Sequence, residues 1–160
     1  MMPKTYQLAS LITLAILIPS LFLGYTYFAD ADAIQKIYAD VDTIDQINPK
    51  ITKATIIFTL NITNPTTRDI TDLSSTFDIF IQDNYVGKGS FSNFSIPAQT
   101  TKFKQVGITV SYGGIADSAV DIFTNWVSGQ DTTLTVEGTM TASVLFGLTT
   151  ASHSYTASST

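Results

Sequence analysis

Apolar and polar residues alternate over residues 55–63. Ile56, Phe58, Leu60 and Ile62 fall on one side, and Thr55, Thr59, Asn61 and Thr63 on the other. A period of two predicts a strand with one buried face. Asn64-Pro65 ends it, because proline offers no N–H to a ladder and turns the preceding residue away from helical geometry. The same period predicts a strand over 73–82, with Phe77, Ile79 and Ile81 on one face. A turn at Asp83-Asn84-Tyr85 and a return strand from Val86-Gly87-Lys88-Gly89 through Phe91 and Phe94 to Ile96-Pro97 complete a hairpin. Further strands are predicted over 101–111 (Val106, Ile108 and Val110 inward), 132–141 (Leu134, Val136 and Met140 inward) and 143–155, where Gly147 suggests a bulge.

The period changes after Tyr112-Gly113-Gly114. Ile115, Ala119, Ile122, Phe123 and Trp126 share one face at helical spacing, which predicts a helix over 115–127. Asp117 lies in its first turn, where the dipole favours an anion, and Ser128-Gly129 is a C-terminal stop. Residues 34–47 carry both periods: Ile34, Ile37, Val41, Ile44 and Ile47 recur at three and four, while Tyr38, Asp40, Asp42 and Ile44 permit a strand. Asn48-Pro49 closes that segment, and the polar residues 157–160 are expected to fray. Six or seven short strands with one late helix predict a mainly β chain. The expected form is an immunoglobulin/fibronectin-like antiparallel β-sandwich with one α-helix, preceded by one transmembrane helix.

The transmembrane helix is residues 6–28, an uninterrupted uncharged run. About 20 helical residues cross a bilayer core. Tyr25, Tyr27 and Phe28 sit at the far end, where aromatic rings favour the interface. Lys4 flanks one end, and Asp30, Asp32, Asp40, Asp42 and Asp45 follow the other, so the positive-inside rule places the N-terminus in the cytoplasm. Ala29-Asp30-Ala31 and Ala31-Asp32-Ala33 also offer a signal-peptide cleavage site, but the run exceeds the usual length of a cleaved signal. The expected organisation is a cytoplasmic N-terminus (1–5), a signal-anchor helix (6–28), a short acidic linker (29–33), an extracytoplasmic β-sandwich domain (34–156) and a tail (157–160). If the anchor were cleaved, the domain would be secreted.

Composition narrows the chemistry. A net charge of −5 over 160 residues argues against nucleic acid, which needs a basic stripe. The absence of cysteine excludes disulfides, thiolate metal sites and a cysteine nucleophile. His153 is the only histidine and has no local partner for a metal site or general base; with no Gly-x-Ser-x-Gly elbow, a serine triad is not expected. The five aspartates of 30–45 lack the glycine turn and terminal glutamate of a calcium loop and read as a solvated acidic stalk. Asp69 and Asp72, near Arg68, read as turn residues and surface ion pairs. The glycines of Val86-Gly87-Lys88-Gly89 read as positions for tight turning or close packing, and Trp126 as core. No catalytic, cofactor or metal residues are assigned. Asn61-Ile62-Thr63 and Asn93-Phe94-Ser95 are glycosylation sequons; Asn93 is the better candidate, because Asn61 falls in a central strand.

The stretch Phe58 to Thr66, with Asn64, Pro65 and Thr66 at its end, resembles the v-x-N-P-n signature of the late-embryogenesis-abundant type 2 family, also called the water-stress and hypersensitive-response (WHy) domain. Val86-Gly87-Lys88-Gly89, Ile96-Pro97-Ala98, Val106-Gly107-Ile108-Thr109-Val110 and Val136-Glu137-Gly138-Thr139 follow in the family's order. The resemblance covers about 34–156 and implies an ordered β-sandwich with one helix, an association with desiccation and other stresses, and no catalytic residues. It also implies an opening strand and so moves 34–45 toward strand. The expected function is therefore a non-enzymatic, membrane-anchored protective or binding module. Its partners would be the lipid bilayer through residues 6–28 and an unknown protein or cell-envelope component. A cell-surface assembly subunit using exposed sheet edges is the alternative.

Overall fold

The computed structural model describes residues 4–129 and 133–159. Expectations for residues 1–3, Thr132 and Thr160, and for the side chains of Lys4 and Asp117, lie outside the described residues. Helix α1 spans Lys4–Gln35 and helix α2 Asp117–Val127. The strands are β1 (Tyr38–Pro49), β2 (Lys53–Asn64), β3 (Ile70–Ile81), β4 (Asn84–Ile96), β5 (Thr100–Ser111), β6 (Leu134–Val144) and β7 (Thr149–Ser158).

Two antiparallel sheets form, one ordered β1-β2-β5 and the other β4-β3-β6-β7. This is the expected two-layer β architecture. It differs in one strand from the immunoglobulin constant arrangement, where the fourth strand joins the first, second and fifth; here β4 pairs with β3. The inward rows are the alternating apolar positions. Ile56, Phe58, Leu60 and Ile62 of β2 face Phe77, Ile79 and Ile81 of β3 and Leu134, Val136 and Met140 of β6, all buried. Phe58 and Phe77 meet edge to face across the layers, 6.2 Å between centroids. Outward positions are largely Thr and Ser, which suits a sheet with one solvated face. Helix α2 closes one end of the sandwich by burying Ala119, Phe123 and Trp126, with Ile115 buried just before it.

Gly89 and Gly138 explain two glycines of the sequence landmarks. A Cβ at Gly89 would lie 2.6 Å from the Phe77 ring, and one at Gly138 would lie 2.5 Å from the Thr76 carbonyl oxygen. The Phe77 ring occupies the space a side chain at 89 would need, so close packing sets these positions.

Four expectations change. Residues 29–35 are the last two turns of α1, and the opening strand begins at Tyr38 rather than Ile34. Ala33, Ile34 and Ile37 are buried, so tertiary contact extends the helix beyond its apolar run. Residues 143–144 belong to β6, and Gly147 (φ +84°) lies in the β6–β7 turn rather than in a bulge. The segment expected to fray is paired: Ala157 is buried, and the Ser159 N–H donates to the Leu134 carbonyl at 2.9 Å. The Leu134 N–H in turn donates to Ser159 Oγ, also at 2.9 Å.

Tyr155 on β7 is buried and its hydroxyl lies 3.1 Å from Ser75 Oγ. Burial pushes its pKa up to about 12, partly opposed by the Ser75 hydrogen bond. The folded state therefore keeps its phenol proton at pH values where the unfolded chain, near its ordinary value of about 10, has lost it. Stability from this group is intact below pH about 10 and falls as pH rises from about 10 to about 12, by about 2 kcal/mol. Urea titrations across that window should show the decline, and Tyr155→Phe should flatten it relative to the parent chain.

Candidate functional site: the foot of the apolar helix

Helix α1 is apolar on every face. Leu11, Ile12, Leu14, Ile16, Leu17, Ile18, Leu21 and Phe22 are all exposed. Residues 9–35 are long and apolar enough to cross a membrane. Three of its hydroxyls bond within the helix: Thr13 donates to the Ala9 carbonyl, Ser20 to Ile16 and Thr26 to Phe22, at 2.8–2.9 Å. Such i−4 bonds leave these side chains asking nothing of solvent.

The helix ends in a clasp on the sandwich. Arg68 Nη1, in the β2–β3 loop, lies 3.0 Å from Asp30 Oδ1. Asp30 Oδ2 accepts the Leu145 N–H of the β6–β7 turn at 3.0 Å. One turn on, Gln35 Nε2 donates to the Ser152 carbonyl of β7 at 2.8 Å. That orientation points Gln35 Oε1 at His153 Nδ1, 3.2 Å away, so the histidine carries its proton on Nδ1. Below these contacts Ala33, Ile34 and Ile37 are buried in the common core. The β2–β3 loop and the β6–β7 hairpin, both distant from α1 in sequence, thus hold its last turns.

The Asn64-Pro65-Thr66 turn shapes the loop that presents Arg68. Asn64 is fully buried. Its Nδ2 group faces three carbonyl oxygens, those of Arg68 (2.7 Å), Ile96 (3.3 Å) and Pro97 (3.2 Å). Its Oδ1 accepts from the Thr66 N–H (3.1 Å) and the Thr66 hydroxyl (2.8 Å). The first of these is an Asx turn, which Pro65 at its centre preorganises. The Thr66 carbonyl then accepts the Gln99 N–H at 2.9 Å, and Asp69 Oδ1 accepts the Ala98 N–H at 2.8 Å. One asparagine therefore joins the β2–β3 and β4–β5 loops and fixes the backbone from which Arg68 reaches α1.

The acidic stalk dissolves into separate roles. Asp30 pairs with Arg68, and Asp32 lies 2.6 Å from Lys36. Asp45, on β1, accepts from Thr59, Thr43 and Gln105, in that order of effect, and these bonds hold its carboxyl below the usual range. Asp69 and Asp72 do not pair with Arg68; Asp72 Oδ2 accepts the Ser143 hydroxyl at 3.3 Å. No group of three or more His, Asp or Glu side chains suited to a metal occurs among the described residues. Asn93 is exposed at an irregularity of the edge strand β4. Asn61 lies within the central strand β2, and its Oδ1 is buried without a hydrogen-bond partner among the described residues. The clasp itself was not foreseen; a charged Arg68 beside the Asn-Pro turn was its one sequence signal.

Two antiparallel sheets, a closing helix and a long apolar helix clasped at one end define an ordered β domain carried on a helical stem. The late embryogenesis abundant protein family (LEA_2) matches residues 59–154, more than half of the chain, and the chain belongs to that family. Among solved structures, a protein of Arabidopsis thaliana studied in solution is similar at 16% identity, with 76% of each chain covered and a TM-score of 0.47. A crystal structure of a protein from Archaeoglobus fulgidus is similar at 10% identity, over 78% of this chain and 94% of its own, with a TM-score of 0.40. The assignment rests on the family match. No curated protein matches the chain.

Proposed function

We propose that the chain is a non-enzymatic, membrane-anchored LEA type 2 domain of the WHy kind that protects the cell surface when water is lost. One observation carries this reading: an all-round apolar helix runs without a break into a clasp on a folded domain of this family. Such a helix has a stable home in a bilayer and fixes the domain close to it. The positive-inside rule orients residues 1–5 to the cytoplasm and the domain outside. If the helix is instead removed as a signal, the domain is released.

The protective surface is the hydroxyl-rich outer face of the β3-β6-β7 sheet. Thr141 and Ser152 hydroxyls lie 2.8 Å apart across β6 and β7, and Thr135 and Ser158 lie 3.3 Å apart. Rows of paired hydroxyls can exchange water for the polar groups of lipids or a wall component as drying proceeds. Edge strands β4 and β7 offer the alternative of assembly by strand addition, but β4 carries register shifts and a left-handed Asn93 (φ +55°), which blunt an edge. The test is deletion of the chain from its host. Reduced survival of drying or osmotic shock, restored by the full chain but not by one lacking residues 1–28, is expected. Unchanged survival overturns the protective role. In a host that glycosylates, Asn93→Gln should remove a mass shift and Asn61→Gln should not, as read by gel mobility with and without glycosidase.

A further inference from the structure

The β6–β7 turn has a conformation its residues do not favour. Leu145 (φ +53°) and Phe146 (φ +58°) are both left-handed and are followed by Gly147 at φ +84°. The Gly147 N–H donates to the Val144 carbonyl at 3.1 Å, so Leu145 and Phe146 are the central pair of a tight turn. Positive φ at both central positions is the demand that Asn-Gly usually meets, and bulky side chains there are strained. Packing does not compensate at the tip: Phe146 is 74% exposed and Leu148 76%. Two large apolar side chains are thus held out into the surroundings on a strained turn, a combination that marks function rather than stability.

Their position supplies the occupant. The turn is tied to α1 through Leu145 and Asp30, and Phe146 lines one cleft with Thr26 and Asp30. Asp30, which the Leu145 N–H contacts, lies two residues beyond Phe28 on α1 and so sets the turn near that level of the helix. Tyr25 and Phe28, at that level, are exposed and form the aromatic end of the apolar run. We infer that Phe146 and Leu148 insert into the bilayer interface beside α1, giving the domain a second lipid contact; this rests on the bilayer reading of α1. An aromatic and an aliphatic side chain at headgroup depth gain apolar transfer without needing anionic lipid. Asp30 and Arg68 beside the turn are already paired with one another. Because the sandwich is clasped to α1, a second lipid contact fixes the tilt of helix and sandwich together over the membrane.

The absence of cysteine from the chain allows single-site labelling. Phe146→Cys, Leu148→Cys, Phe28→Cys and Ile51→Cys variants of the full chain would carry an environment-sensitive fluorophore in phosphatidylcholine vesicles containing brominated acyl chains. Ile51 is apolar and 97% exposed, in the β1–β2 turn at the far end of strand β1, so it controls for attraction of the label to lipid. Expected are blue-shifted emission and loss of most of the fluorescence at 28, 146 and 148, with little change at 51, and the same pattern when anionic lipid is added. Quenching at 28 with water-like emission at 146 and 148 overturns the insertion and leaves the anchor standing. No quenching at 28 overturns the anchor and the insertion with it. Quenching at 51 equal to that at 146 assigns the signal to the label and also overturns the insertion.

Discussion

Asn64→Asp should destabilise the domain by about 3–5 kcal/mol, the cost of an uncompensated buried charge. The aspartate would keep the acceptor for the Thr66 N–H and hydroxyl but lose the only donor that Arg68, Ile96 and Pro97 carbonyls share at that side chain. It would also set a carboxylate against three carbonyl oxygens in a fully buried position. Asn64→Ala avoids the charge and should cost less, about 2–3 kcal/mol, from the Thr66 N–H and the Ile96 and Arg68 carbonyls that lose this partner, while the Pro97 carbonyl keeps the Thr100 hydroxyl at 2.8 Å. Pro65 is exposed, and Pro65→Ala should cost about 1 kcal/mol or less, through the freedom gained by the unfolded chain. Urea unfolding of the full chain in detergent micelles checks the order: aspartate worst, alanine at 64 next, alanine at 65 least. Equal midpoints for Asn64→Asp and Pro65→Ala would show that the bracket does not hold the two loops together.

Ile34→Ala should cost about 2–4 kcal/mol, as other large-to-small core substitutions do. Ile34 sits in the same core as the sandwich, although it lies on the helix that precedes every strand. Its loss would weaken the clasp from below, while Asp30→Asn, at an ion pair whose carboxylate is mostly buried and whose guanidinium is partly exposed, should cost less, about 1–2 kcal/mol. The distinguishing readout is amide hydrogen exchange. In Ile34→Ala, residues 29–37 should lose protection together, while the central strand β2 keeps most of its own. Unchanged protection in 29–37 would mean that the foot of α1 is held by its polar contacts alone.

Much of the strand pattern was legible because alternation reports burial directly. Residues 55–63, 77–81 and 106–110 each have one face that must leave water, and the structure buries those faces. Helix α2 was legible for the same reason at helical spacing. The failures share a cause. Residues 29–33 read as linker because Asp30, Asp32 and three alanines give no apolar stripe, yet Arg68 and Leu145 meet Asp30, and Ser152 meets Gln35 further along the same helix. Leu145-Phe146 carries none of the residues that favour a left-handed turn, so no local rule finds it. Ala157 and Ser159 looked like a fraying end because a strand partner 20 or more residues away is invisible to local pattern.

For the candidate site the division is sharper. Asn64-Pro65-Thr66 announced a rigid turn and a family, since an Asx turn and a proline act within three residues. Sequence alone therefore determined the fold class, the apolar helix and the turn at the end of β2. Only the tertiary structure decided what that turn is for. Asn64 reaches carbonyls at 96 and 97, and Arg68 reaches Asp30, across 32 or more residues of chain in every case. Local preference arises from backbone and side-chain sterics within a few residues, whereas these contacts exist only once two sheets and a helix have been brought together by burial of their apolar faces.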